Sequence, residues 1–490
     1  MESVRTLAER LREILARYGV SASELSRRMA FNSRNSVFRI LNGEVSYEKQ
    51  HDFIERMRRE KALPLTGGEW SDLEEGLEIS RIGAERFCIN RAMDELVMPR
   101  QAQETAIRVA RWVDGAEAEE SLETCLGRAL AGKHVQMLIV GCCETALFGA
   151  LAREIARAHA QDVQITHYID ATGTALVRAI AAIQPVVYAP GYQAYMLEDG
   201  AQRSLYNCDM LLAVYEDDGG RSHFVHAVMP DSGTLSCCEY GDEAAFGFLW
   251  HLFTKHAQHA KPIKNMFVQP ASPLDYLQYT EQYRAIEEDI TLYDIKCDVP
   301  INFIHPDILL GPVRDGFAAI GFGEAEEREA LVRAFYDVQL RRWQNFFGKH
   351  KPTHTIFTYE SMRRFALTGR QSDHFFAIRP YTREERVQIL RGLRAQTADN
   401  PYFTVYFFKK DLTPVQEEIG LYEGRGVLLT KSHTDYRLDG EHAEALITQP
   451  EFCESFREYY LKRLLTSCVV PAKETLAILD ELIALSESAD

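Results

Sequence analysis

From about residue 131 onward, short apolar runs of strand character alternate with longer helical stretches, and the order is written twice. This alternation constrains the fold most, because strands separated by helices build open α/β sheets with helices packed on their faces. In the first pass, residues 138–141, 163–169, 185–188 and 210–215 read as strands, with helices over 146–160 and 171–183. A turn signal at Asp217-Asp218-Gly219-Gly220 separates two paired strands, and an aromatic helix over 246–256 closes the pass. The second pass reads strand 355–359, helix 383–396, strands 402–408, 418–422 and 427–430, and a second aromatic helix over 452–465. Tyr215-Glu216 stands 31 residues before Phe246, and Tyr422-Glu423 stands 30 before Phe452. Order and spacing repeat with little identity, which points to an internal duplication.

The chain's beginning follows a different rule. Leu7, Leu11, Ile14, Leu15 and Tyr18 recur at helical spacing, and Gly19 supplies a residue able to leave the helix with positive φ. Ser21 and Ser23 are candidate caps for a short second helix holding Leu25 and Met29. A turn at Ala30-Phe31-Asn32-Ser33 leads into a third helix from Arg34, with Val37, Ile40 and Leu41 facing inward. A fourth helix is expected over 47–59, with Phe53, Ile54 and Met57 as its apolar side. Ser33, Arg34, Asn35, Ser36, Arg39 and Asn42 are left on the outside of the third helix and its start. Arg and Asn in such a position can bond guanine and adenine bidentately in a major groove.

Charge divides along the same line. Residues 1–62 hold thirteen Lys and Arg against nine Asp and Glu, a balance of +4, and since the whole chain carries −17, the remainder carries −21. A short basic head on a long acidic body is expected where only the head touches nucleic acid, because the body would repel a phosphate backbone. No run approaches the roughly 20 apolar residues of a membrane span, and the N-terminus lacks the features of a secretory signal, so a cytoplasmic chain with no membrane partner is expected. Ten cysteines with no C-x-x-C motif read as thiols in a reducing compartment.

Residues 7–59 resemble the Cro/C1-type (XRE family) helix-turn-helix of bacterial regulators, and Arg39-Ile40-Leu41-Asn42-Gly43 is similar to the end of that family's recognition helix. The turn is one residue longer than the family's usual Gly-hydrophobic-Ser. The resemblance implies a homodimer reading an inverted repeat in double-stranded DNA. The body resembles, weakly, the paired α/β halves of the phospholipase D-like superfamily. Its active members need H-x-K-x-x-x-x-D in each half. His259-Ala260-Lys261 is the sole H-x-K, Met266 occupies the Asp position, and the second half has none. The resemblance therefore implies a degenerate, non-catalytic sensor region.

Within the body, Cys142, Glu144 and Thr145 follow a strand and open a helix, where a ligand contact or plain strand–helix packing are both open. Cys142-Cys143 and Cys237-Cys238 are vicinal pairs, open to thiol sensing or to simple burial. His251, His256 and His259 lack metal-ligand spacing, so no metal is expected. Arg370, His374 and Arg379 form a local basic group around a Gly turn in an acidic body, which suits either an anionic ligand or salt bridges.

These readings give a fold of class α + α/β: a helix-turn-helix domain over 1–62, a helical linker and dimerisation segment over 63–130, α/β halves over 131–263 and 351–490, and a helical connection over 264–350. The function expected is a DNA-binding transcriptional regulator, not an enzyme and without a cofactor, whose body senses a small molecule or a protein effector. A phospholipase D-like phosphodiesterase or nuclease with a DNA-binding head, or a regulator controlled by protein–protein interaction, are the alternatives.

Overall fold

The structure is a computed structural model describing residues 4–31, 35–98, 108–113, 116–141, 148–149, 151–154, 163–169, 171–184, 186–187, 191–197, 209–229, 235–240, 243–256, 260–263, 273–297, 299–319, 323–348, 351–371, 378–412, 417–431 and 443–489. It divides into two compact units, Met1–Ala92 and Met93–Asp490.

The first unit is helical. Thr6 opens α1 (Leu7–Arg17) through a capping box with Glu9, and Leu7, Leu11, Ile14 and Leu15 turn inward. Ser21 caps α2 (Ala22–Arg28), and the chain then turns through Ala30 at φ 51°. After α3 (Asn35–Leu41) and α4 (Tyr47–Arg59) comes α5 (Gly67–Ile82), opened by a second capping box between Thr66 and Glu69. Leu73 and Leu77 of α5 share one buried core with Leu11, Leu25, Val37, Phe53 and Met57. The crossing of α1 and α5 is close: a Cβ added at Gly76 would come within 2.8 Å of the Leu7 Cα. The segment from residue 63 is therefore no free linker at its start, because α5 completes the core of the head. Gly83, at φ 85°, separates α5 from α6 (Ala84–Val97).

Past α6, two strands stand within the segment expected to be helical: β1 (Arg108–Val113) and β2 (Ala116–Ser121), ahead of α7 (Leu122–Ala131). Then come β3 (Lys133–Val140), β4 (Val163–Ile169), α8 (Gly173–Ile183), β5 (Tyr192–Met196), β6 (Asp209–Glu216), β7 (Ser222–Met229), β8 (Leu235–Tyr240), α9 (Glu243–His256) and β9 (Lys261–Pro262). The turn at 217–220 joins β6 to β7, with Asp217 Oδ1 accepting from the amides of Gly219 and Arg221 at 2.9 and 3.0 Å. Residues 186–187 form a turn, and the third parallel strand is β5, later in the chain than the expected 185–188.

The second half runs α10 (Pro273–Glu287), β10 (Leu292–Lys296), a 3-10 turn (Ile301–Phe303), α11 (Pro306–Ala319), α12 (Ala325–Phe347), β11 (Thr353–Phe357), α13 (Tyr359–Thr368), α14 (Arg383–Asp399), β12 (Phe403–Phe407), β13 (Glu417–Tyr422), β14 (Gly426–Lys431), β15 (Ala443–Ile447), α15 (Pro450–Tyr459), a π-helical stretch (Tyr460–Cys468) and α16 (Ala472–Ser488). The expected helical connection over 264–350 thus contains β10, the strand on which the second sheet turns. The run Leu-Tyr-Asp-Ile-Lys is too short and too charged to read as a buried strand by pattern alone.

Among the described residues there are two mixed sheets. The first is ordered β2-β1-β8-β7-β6-β3-β4-β5-β9, the second β12-β11-β10-β13-β14-β15. Within the first, β8-β7-β6-β3-β4-β5 has the order of β15-β14-β13-β10-β11-β12. In each, three strands are parallel (β3, β4, β5; β10, β11, β12) and three follow antiparallel (β6, β7, β8; β13, β14, β15). The six-strand unit is built twice. Tyr215 and Tyr422 fall at the ends of the equivalent strands β6 and β13, which explains their matched spacing to the aromatic helices. The fold class α + α/β holds.

Candidate functional site

Two places carry more chemistry than packing requires: the outer face of α3 in the first unit, and the helix-covered face of the second sheet.

In α3, Val37, Ile40 and Leu41 are buried against the head core. Asn35, Ser36, Arg39 and Asn42 are exposed on the opposite side, with Phe38 among them. Helical periodicity enforces this split, since residues three and four apart share a face. The Arg39 guanidinium donates to the Glu44 carbonyl at 3.3 Å, and the Asn42 amide donates to the Glu44 carboxylate at 3.1 Å. Both bonds are at the surface. Arg56 of α4 steadies the turn before α3: it donates to the Ala30 carbonyl at 2.9 Å and lies 4.4 Å over the Phe31 ring. Phe31 in turn stacks on Phe53 at 6.0 Å. Ser33 and Arg34 lie outside the described residues.

Strand alternation in the second sheet puts Asp294 and Lys296 of β10 on one face. The register continues that row across the sheet, from Lys296 through Glu418 and Thr430 to Glu444. Glu418 takes an ion pair from Lys296, and Glu444 accepts from the Tyr283 hydroxyl of α10. Glu287 at the end of α10 receives both arms of Arg342 from α12, at 2.7 and 2.8 Å, and the Asn302 amide at 3.0 Å. Arg342 also lies 5.2 Å over the Tyr283 ring. Glu287, Asp294, Glu418, Glu444 and Arg342 are all buried. Four acids therefore share this enclosed layer with two cations. Burial pushes the Asp294 carboxyl up to about 7, and Lys296 and the Thr355 hydroxyl pull it back only part way. Burial likewise raises the Tyr422 phenol, beside the same charges, far above its ordinary range.

The first sheet buries a histidine on β4. His167 of β4 is fully buried, 2.6 Å from the Gly141 carbonyl on one ring nitrogen and 2.6 Å from the Tyr192 hydroxyl on the other. Desolvation lowers it to about 4, so it is neutral at physiological pH. His354 of β11 lies on the other kind of surface, stacked on Tyr293 at 5.3 Å, while the Tyr460 hydroxyl donates to the His354 carbonyl at 2.7 Å. No H-x-K pair surrounds either histidine.

Of the body residues singled out from sequence, Cys142, Glu144, Thr145 and His374 lie outside the described residues. Arg370 is exposed. Arg379 is held by Glu385 at 2.7 and 2.8 Å and by Asp315 at 2.6 Å, which raises its pKa further. That clamp fixes the start of α14, where Glu385 also closes a capping box with Thr382. Cys237 is buried and Cys238 exposed on β8. Sequence reading passed over Glu287, Asp294, Lys296, Arg342 and Glu418. The signal available was a charged residue inside an apolar strand, Asp-x-Lys in β10 and Glu418 before Ile-Gly-Leu-Tyr in β13.

No protein-family model matches the chain, and no curated protein matches it. Among solved structures, it is similar to a polyphosphate kinase from Porphyromonas gingivalis, at 9% identity and a TM-score of 0.22, over 75% of this chain and 54% of that one. It is also similar to a phosphatidylserine synthase from Haemophilus influenzae Rd KW20, at 8% identity and a TM-score of 0.26, over 82% of this chain and 98% of that one. The chain spans about half the length of the polyphosphate kinase. Both neighbours are enzymes by name, so the expectation that the chain is not an enzyme finds no support in them. Likeness this slight says nothing of substrate or mechanism. The comparisons give no support to membership of the Cro/C1-type family. Among the described residues, no helix is long and apolar enough to cross a membrane.

Proposed function

We propose that this chain is a cytoplasmic, sequence-specific DNA-binding regulator that docks α3 in the major groove as a homodimer on an inverted repeat. The observation that carries this reading is the two-sidedness of α3. One side locks into the head, and the other offers Asn35, Ser36, Arg39 and Asn42 to solvent. Arg and Asn are the residues suited to bidentate bonds with guanine and adenine, each worth about 1–3 kcal/mol of discrimination. The +4 balance of residues 1–62 favours phosphate contact there, and the acidic remainder disfavours it elsewhere. The α/β unit takes a ligand or protein effector, which shifts DNA affinity only by binding two states of the dimer unequally.

The test is fluorescence anisotropy of labelled duplex DNA against the full chain over a range of salt. Binding should weaken linearly in log–log form as salt rises. Arg39→Ala should weaken specific binding about tenfold or more. Absence of salt-dependent binding to any duplex sinks the reading.

A second reading rests on the six-strand unit being built twice, as the paired halves of a phospholipase D-like phosphodiesterase would be. On that reading the α/β unit cleaves a phosphodiester. Turnover of bis(p-nitrophenyl) phosphate by the unsubstituted chain would support it, and absence of turnover would remove it.

A further inference from the structure

Phe38 is the one large hydrophobic side chain of the first unit that stands exposed among the described residues, 45% open to solvent. Its apolar neighbours on α3 do the reverse: Val37 is fully buried, and Ile40 and Leu41 nearly so. Exposure of an aromatic ring in water is unfavourable, and Phe has no helix propensity to recommend it at a surface position. Its setting is what gives it meaning. Asn35 lies three residues before it and Asn42 four after, so Phe38 sits on the same exposed stripe, with Arg39 beside it. A single surface hydrophobic is ordinary, but one centred in a polar face already fitted for base edges is placed to meet an apolar group there.

We propose that Phe38 is a specificity-determining residue that recognises a thymine through its C5-methyl group. This rests on the DNA-binding reading of α3. Among the four base pairs, the thymine methyl is the apolar feature the major groove presents, and phenylalanine is among the side chains that contact it. Asn35 and Asn42 on either side suit adenine, so the centre of the reading face favours A·T pairs flanked by the guanine contact of Arg39. The methyl and the ring each leave water on contact, and one methyl withdrawn from water is worth about fourfold in affinity. Phe38 leaves the fold of the head nearly untouched, because the apolar positions that hold the core lie on the opposite side.

The experiment is a two-by-two binding cycle on the duplex that the full chain selects from a random pool. Thymidines in the half-sites are replaced one at a time by deoxyuridine, which lacks only the methyl, and both duplexes are titrated with the unsubstituted chain and with Phe38→Ala. The unsubstituted chain should lose about fourfold at one thymine position. Phe38→Ala should bind the thymine duplex more weakly and lose nothing further with deoxyuridine, while Phe38→Leu keeps part of the methyl preference. Equal loss on deoxyuridine by both chains, or no loss by either, overturns the assignment and leaves DNA binding standing. A chain that selects no duplex overturns the DNA reading together with it. Unchanged circular dichroism and thermal midpoint of Phe38→Ala would place the effect at the DNA and not in the fold.

Discussion

The two halves of the α/β unit share a strand order and bury different titratable groups. The first half seals a histidine, His167, between β4, the Gly141 carbonyl and Tyr192. The second seals Asp294 with Lys296 and Glu418 under α10 and α12. A duplicated backbone thus fixes which strands pair, and the side chains on the covered face are free to diverge. Their protonation behaves oppositely as a result. His167 is neutral because burial lowers its pKa, and Asp294 is near half-protonation at neutrality because burial raises its own.

The largest effect expected is at the Glu287–Arg342 pair. Arg342→Met leaves a buried carboxylate without its partner and should cost about 3–5 kcal/mol in urea unfolding, whereas Glu287→Leu combined with Arg342→Met should recover most of that. A small cost for the single variant would mean that the second half tolerates unpaired charge, and the contrast with the first half would lose its basis.

Next comes the pH dependence of each half, on the order of 3 kcal/mol. His167 has a folded pKa of about 4, below its ordinary 6.5, so its contribution is whole above pH 6.5 and is lost as the pH falls toward 4. Asp294 has a folded pKa of about 7, above its ordinary 3.8, so its contribution is whole below pH 3.8 and is lost as the pH rises through 7. Hydrogen exchange should therefore show β4 losing protection on acidification and β10 losing it on alkalinisation. Asp294→Asn should abolish the second trend alone. Parallel trends in both halves would break the comparison.

The smallest effects separate the helices that link the parallel strands. In the second half α14 is capped by its own Thr382, and Thr382→Ala should cost about 1 kcal/mol. In the first half, Glu451 of α15 reaches across to accept from the Gly173 amide of α8 at 2.9 Å. Glu451→Gln keeps an acceptor and loses the charge, so about 0.5 kcal/mol is expected. Denaturant midpoints of the two variants would rank them, and the reverse order would show the cross-half cap to be the stronger device.

What was legible in the sequence follows from how much of each signal is local. The strands β4, β6 and β12 and the helices α1, α4 and α14 announce themselves by apolar period and caps. The six-strand repeat was visible as spacing, because Tyr215 and Tyr422 sit at equivalent strand ends. β10 was hidden, since Asp294 and Lys296 interrupt its apolar run, and those same residues make the buried layer. The pairing of Lys296 with Glu418, 122 residues on, is set by sheet register, which no local pattern reports. At Arg379, local crowding of Arg suited either an anionic ligand or salt bridges, and two carboxylates of the chain's own, Asp315 and Glu385, occupy the guanidinium. On α3 the spacing of Val37, Ile40 and Leu41 set Asn35, Ser36, Arg39 and Asn42 outward, but it did not report that Phe38 stands exposed among them.

The measurement that bears most directly on the DNA-binding reading is selection from a random duplex pool by the full chain at moderate salt, followed by sequencing. An inverted repeat should be enriched by the unsubstituted chain and lost with the double variant Asn35→Ala, Arg39→Ala, whose substitutions touch only the exposed side of α3. No enrichment, or the same enrichment by both proteins, would contradict it.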